Sequence, residues 1–465
     1  MNPPKTTTAA DRPALLTTLV LIAGPVLSMI DTSIVNVAVP DLVRELDRPL
    51  ATVQWAVSGY LLAMAVGLAA TSFLARRFGL LPTYAASLAL FTLTSLACAL
   101  AQGASALIVF RALQGLAGAP MVPLAVGLLI GGGGAVRDTR KMPIAAALAF
   151  FAAPALGVSA GGLLISVYGW RAIFLVNLPI GLLALPGVIA AYRAGLGTRP
   201  DPRARLDLPG MALLAAGLGT VTYGVEQAMS HGWADPWWPL GLILLAGYVM
   251  WARSRTNPAL DLGLVRHRAR ALTLALCALS SVVLFAVLFL APLLLQNIQH
   301  HSTAIVGLAL LPQGLAMGLS APLGTRLVER WSVRVVVLAG MLFLAVMTGA
   351  MALLSADTPV WVTTLVLCGR GAAIGLTSQP LVLALLGGLP QDRIPDGNTL
   401  FSVVQRLAGS FGIALLATLF ATRSTATGSA LTGFHQAVLV LGGVALLGAA
   451  AALLLPRRLP VQAAG

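Results

Sequence analysis

Residues 27–40 read LSMIDTSIVNVAVP, and Asp31 stands in the middle of this apolar run. An ionisable group at the centre of a bilayer costs about 2.5–3.5 kcal/mol on insertion scales, so it is kept where it faces a bundle interior and works. Desolvation disfavours the charged carboxyl and a nearby cation favours it; two opposed influences let such a group bind and release protons. The remaining acidic residues fall in loops or at the edges of apolar runs, with Glu226 near the end of one. The candidate cation is Arg111. Asp31 lies nine residues before Pro40, or roughly 13 Å at helical rise, and Arg111 lies seven residues after Ala104, or roughly 10 Å. The two can share a depth; a pair that merely ties two helices together is the alternative reading. Arg370 and Arg406 also lie within apolar runs with no acid nearby in sequence, which suits bonding to carbonyls or facing a water-lined cavity. The amides Asn36, Gln54 and Gln114 suit helix bridging or a substrate path.

Other chemistry is sparse. Cys98, Cys277 and Cys368 all fall in apolar runs, and His300 and His301 form a pair in a loop. There is no Walker phosphate loop, no HExxH, no GxSxG and no His/Cys cluster at ligand spacing, so nothing points to ATP-driven transport, a metal or membrane catalysis. The reading is of a non-enzyme without a cofactor, with protons as the coupling ion.

The elements that must hold these residues are membrane helices. Of 465 residues 58% are hydrophobic and 9% charged, against roughly 25% charged in a soluble domain. Apolar runs long enough to cross about 30 Å of hydrocarbon recur from end to end. They predict an all-α polytopic protein with spans near 14–40, 51–75, 80–101, 105–133, 142–167, 171–192, 206–228, 237–253, 270–296, 303–325, 333–354, 359–388, 397–421 and 433–455. The eighth is short and flanked by Trp237 and Trp238, so the count ranges from twelve to fourteen. The first run lacks a small-residue cleavage site and is expected to be a span, not a signal peptide.

A net charge of +14 raises nucleic acid as a partner. Alternating the spans from an inside N-terminus places 22 Lys and Arg in inside segments and 4 in outside ones. That bias is what the positive-inside rule requires. It removes the nucleic-acid reading and predicts that both termini are cytoplasmic; the protein is further expected to be a multi-pass monomer of a bacterial cytoplasmic (inner) membrane, with the lipid bilayer as its partner.

The chain also repeats itself. FRALQGLAGAPMVPLAVGLL (110–129) is echoed by GRGAAIGLTSQPLVLALLGG (369–388), and LARRFG (74–79) by RLVERWSVR (326–334). Duplication of this kind is a transporter signature. It predicts six-span bundles at 12–192 and 268–456, joined by a linker at 193–267 with two further spans. In AAPALGVSAGG (152–162), Pro154, Gly157, Gly161 and Gly162 suit close helix approach.

Five stretches together resemble the fourteen-span drug:proton antiporters of the major facilitator superfamily (the DHA2-type multidrug efflux family). LSMIDTSIVNVAVP is similar to the first-span motif, and RALQGLAG (111–118) to the fourth-span arginine motif, with Arg111 and Gly115 in place. GVSAGG followed by YGWRAIFLVNLPIG (168–181) is similar to the fifth-span motif and the next loop. VGLALLPQGLAMGLSAPL (306–323) and FSVVQRLAGSFGIAL (401–415) resemble the tenth and thirteenth spans. The resemblance implies two pseudo-symmetric bundles, alternating access, and export of small lipophilic compounds against proton entry, with Asp31 and Arg111 in proton coupling. It departs at three places. The loop expected to read Gly-x-Leu-Ala-Asp-Arg-x-Gly-Arg-Arg is SFLARRFGLL (72–81), so Arg76 takes the acidic place beside Arg77 and Gly79, while the later loop keeps Glu329, Arg330 and Arg334. Val158 replaces the proline after Gly157, and Gln313 stands in the tenth span where some members carry an acid. The alternatives are export of one metabolite or biosynthetic product, and a membrane scaffold or sensor that transports nothing.

Overall fold

A lipid-embedded run has no water to satisfy its backbone, so each peptide group must bond within its own segment, and a helix results. The computed structural model describes residues 11–48, 50–130, 153, 156–157, 160–161, 163–195, 200–201, 207–255, 258–260, 262–387, 389 and 393–456. The N-terminal half contains α1 (Asp11–Leu46), α2 (Leu50–Phe78), α3 (Leu80–Ala99), α4 (Ala104–Gly118), α5 (Met121–Ile130) and α6 (Asn177–Arg193). Then come α7 (Leu208–His231) and α8 (Trp237–Arg253). The C-terminal half contains α9 (Arg268–Leu293), α10 (Thr303–Arg330), α11 (Val333–Ala350), α12 (Val360–Leu386), α13 (Ile394–Thr427) and α14 (Ala430–Ala452).

Local sequence sets several of the breaks. Gly79, at φ +89°, turns the chain between α2 and α3, a backbone region glycine enters without strain. Asp207 accepts from Gly210 N at 3.1 Å and starts α7, with Pro209 in the first turn. Ser332 and Ser429 cap α11 and α14 in the same way, each at 3.3 Å.

Among the described residues eleven helices are long and apolar enough to cross a membrane, and the bent pair Trp55–Leu68 and Ala70–Phe78 makes a twelfth. The expected fourteen are not reached. The helix α8 has 17 residues, about 26 Å, which is short of the hydrocarbon thickness. Most of the expected fifth span, 142–167, lies outside the described residues, as do Pro154 and Gly162.

Small residues let the helices approach. A Cβ on Gly115 would sit 2.3 Å from the Tyr60 carbonyl of α2, and one on Gly371 would sit 2.1 Å from the Gln313 carbonyl of α10. Gly157 and Gly161 face Ile30 and Ile34 of α1 in the same manner. The pair α7 and α8 leans on both halves: Tyr223 stacks on Trp55 of α2 at 5.8 Å, and Trp233 donates to Thr418 of α13 at 3.1 Å. At the end expected to be cytoplasmic the two halves meet directly. Leu80, Leu81, Leu124 and Leu128 share one buried cluster with Leu385, Leu386, Leu389 and Leu400.

Candidate proton-coupling site

Five helices bring a polar cluster into the N-terminal half. Asp31 comes from α1, Tyr60 from α2, Ser95 and Cys98 from α3, Arg111 and Gln114 from α4, and Asn177 from the first turn of α6. All seven are fully buried. Gly115, by admitting α2 against α4, sets Tyr60 under the guanidinium, whose carbon lies 4.0 Å from the ring centroid.

The carboxylate of Asp31 is the hub. Its Oδ2 accepts from Arg111 Nη1 at 2.5 Å. Its Oδ1 accepts from Asn177 Nδ2 at 2.9 Å and from Gln114 Nε2 at 3.2 Å. Arg111 also donates from Nη1 to Gln114 Oε1 at 2.8 Å and from Nε to the Ala56 carbonyl at 3.0 Å. Asn177 Nδ2 donates a second time, to Ser95 Oγ at 3.0 Å, and Ser95 Oγ donates to the Phe174 carbonyl at 2.9 Å. A buried ion pair is tolerated only when its geometry is good and its remaining lone pairs are met. Here one acid, one base and two amides meet that demand, and Asn177 Oδ1 has no partner among the described residues.

The sequence reading paired Asp31 with Arg111, set Gln114 apart as a helix-bridging or substrate-path amide, and passed over Asn177; the structure brings all four together. That asparagine stands in the stretch YGWRAIFLVNLPIG, the one amide in an apolar run, which was the available signal. The other candidates lie elsewhere. The side chains of Asn36, Gln54 and Glu226 lie outside the described residues. Gln313 is buried on α10 and its Oε1 has no partner among the described residues. Arg370 is fully buried in the C-terminal half, donating to Thr348 Oγ1 and to the Val283 carbonyl, both at 3.1 Å, and its Nη1 has no partner among the described residues. Arg406 reaches across to Met64 Sδ of the other half.

The gating-loop candidates divide. Arg76 pairs across the halves with Asp396, Arg77 lies beside it in the last turn of α2, and Gly79 turns the chain after that helix. Glu329 and Arg330 are exposed at the end of α10, and Arg334 donates to the Leu455 carbonyl inside its own half at 2.5 Å. Asp396 corrects the sequence reading, which left it at a span edge: it is 1% exposed in the first turn of α13, because the two halves close over it.

Two helical halves, a bridging helix pair and a buried acid–base cluster in the first half define a polytopic transporter architecture. The chain belongs to the Major Facilitator Superfamily, whose family profile matches residues 21–413. It is 34% identical over 415 residues to a multidrug resistance protein B homolog of Mycobacterium tuberculosis, covering 87% of this chain and 76% of that one. It is 32% identical to a tetracenomycin C resistance and export protein of Streptomyces glaucescens (88% and 76% covered), and 26% identical to the multidrug export protein EmrB of Escherichia coli (88% and 81% covered). Among solved structures, the proton:xylose symporter XylE aligns with a TM-score of 0.65 at 16% identity over 94% of this chain and 95% of that one. The human organic anion transporter MFSD10 aligns with a TM-score of 0.60 at 15% identity, over 96% of this chain and all of that one. At these identities the likeness is one of fold.

Proposed function

We propose that this protein is a proton-coupled exporter of hydrophobic or amphipathic small molecules that works by alternating access. The observation that carries the reading is the Asp31–Arg111 pair, fully buried inside one half and braced by two amides. A carboxylate held at this depth by a single guanidinium gains or loses its ion pair with one proton, so its protonation can bias which arrangement of the halves is stable. The multidrug export relatives support the lipophilic cargo. In this reading the bundles are 12–192 and 268–456 with the linker at 193–267, both termini are cytoplasmic, and the protein acts as a monomer in a bacterial cytoplasmic membrane. The tetracenomycin C exporter among the relatives favours a second cargo reading, one biosynthetic product rather than many drugs.

The test is Asp31→Asn in right-side-out membrane vesicles loaded with a lipophilic dye. Expression and folding are expected to persist while efflux driven by an imposed pH gradient is lost. Undiminished gradient-driven efflux by this variant would remove Asp31 as the carrier.

A further inference from the structure

Asn177 is bonded in a way that only an ionised Asp31 explains. An amide nitrogen has two hydrogens, and both are used: Nδ2 donates to Asp31 Oδ1 at 2.9 Å and to Ser95 Oγ at 3.0 Å. The amide oxygen, buried in the same place, accepts nothing among the described residues. The reverse orientation would set Oδ1 against the carboxylate, oxygen to oxygen. The donor face therefore belongs to the charged state of Asp31.

A proton on Asp31 changes that requirement. It enters on Oδ1, since Oδ2 faces the guanidinium of Arg111. The new O–H then needs an acceptor, and two amides touch Oδ1. Gln114 cannot serve: its Oε1 already accepts from Arg111 Nη1 at 2.8 Å and from Cys98 Sγ at 3.6 Å, and turning it would press Nε2 against the guanidinium. Asn177 can serve, because its oxygen is idle and a half-turn about its terminal side-chain bond exchanges Nδ2 and Oδ1 in place. The titratable and charged groups around the pair are Arg111 on α4, Tyr60 on α2 and Cys98 on α3; among the described residues α6 offers none beside Asn177.

We propose that Asn177 reads the protonation state of Asp31 by turning its amide, donating from Nδ2 to the carboxylate and accepting at Oδ1 from the carboxylic acid. The proposal rests on the reading of Asp31 as the proton carrier. The turn reverses a short chain of bonds. Ser95, which received from Asn177 and gave to the Phe174 carbonyl at 2.9 Å, now gives to Asn177 Oδ1 and releases that carbonyl. Phe174 belongs to the short helical segment Ala172–Leu175 that leads into α6, and Trp170 just before it donates to Glu45 Oε2 at the end of α1 at 2.9 Å. The charge on Asp31 is thereby felt at the entry to α6 and the loop before it. The two states also differ in what they leave unmet. The ionised state idles one amide oxygen; the protonated state idles both amide N–H groups, and a buried orphan donor is the rarer and costlier case. Protonation thus strains this closed arrangement and favours departure from it.

The test is infrared difference spectroscopy of the purified protein between high and low pH, with carbon-13 in the asparagine side-chain carbonyls. The chain has six asparagines, so Asn177→Leu and Asp31→Asn assign the bands. The expected result is one labelled carbonyl band moving to lower frequency as a carboxylic acid band appears, with a common midpoint. Both changes vanish in Asp31→Asn, and the carbonyl change alone vanishes in Asn177→Leu. Should the latter variant not fold, loss of the carbonyl change in Asp31→Asn still ties it to this site. An Asp31 band that titrates while every asparagine carbonyl stays still would overturn the proposal and leave the carrier standing. Absence of any band that Asp31→Asn removes would take down the carrier reading and this proposal with it.

Discussion

Arg76 on α2 holds Asp396 at the first turn of α13 through both carboxylate oxygens, at 2.8 and 2.9 Å, and so ties the two halves of the molecule together. The same guanidinium reaches the Pro258 carbonyl at 3.4 Å, and Ser72, one turn away, donates to Thr399 at 3.1 Å. The loop motif that this segment resembles carries an acid where Arg76 stands. Here Arg76, at the end of α2, takes that place, and its acid comes from the opposite half.

The expected consequence is charge complementarity between the two positions. Breaking a buried pair by removing one partner costs about 3–5 kcal/mol; Arg76 keeps 25% of its side chain exposed, so the lower part of that range applies. Arg76→Asp or Asp396→Arg alone is expected to open this end of the molecule, and the double exchange to close it again. Labelling of a Ser72→Cys reporter by a membrane-impermeant thiol reagent measures this. A double variant as reactive as either single one would show that the pair holds nothing.

Gly115 tests the close approach that assembles the site. Its added Cβ would meet Tyr60 O at 2.3 Å, Tyr60 C at 3.1 Å and Met64 N at 3.2 Å, all backbone that cannot swing aside. Overpacking of this kind costs about 1–3 kcal/mol. Gly247 on α8 has nothing within 4 Å, and there alanine gains up to about 1 kcal/mol of helix propensity. Gly115→Ala is therefore expected to melt earlier in detergent and Gly247→Ala to hold or rise. Equal melting of the two would mean α4 and α2 can part without loss.

What the sequence showed of this site follows from what burial costs. A carboxyl and a guanidinium in apolar runs announce themselves, because no neutral role justifies their desolvation; helical rise then put Asp31 and Arg111 at one depth, and Gln114 follows Arg111 by three residues on the same face. Asn177 is neutral and cheaper to bury, and its place beside Asp31 depends on how α6 packs against α1 and α3, which no local pattern encodes. Asp396 sits in a polar stretch after α12 and looks solvated; only the meeting of the halves buries it. The helix α8 fell short of a span for a plainer reason, since its 17 residues were legible as short from the start.

The two buried arginines give the sharpest contrast between the halves. Arg111 faces Asp31, whose carboxylate accepts three hydrogen bonds, and removal of the cation strands a charge in low dielectric. Arg111→Met is expected to lose about 3–5 kcal/mol, and adding Asp31→Asn to it should recover much of that loss, because the stranded charge is gone. Arg370 occupies the echoing position on α12, yet no carboxylate pairs with it among the described residues and its Nη1 bonds to nothing there. Replacing a poorly compensated buried charge by an apolar side chain of similar volume is neutral or stabilising. Arg370→Met should therefore melt at or above the parent temperature. If it melts as early as Arg111→Met, the guanidinium of Arg370 is compensated as fully as that of Arg111, and the asymmetry between the halves that assigns proton coupling to the first of them disappears.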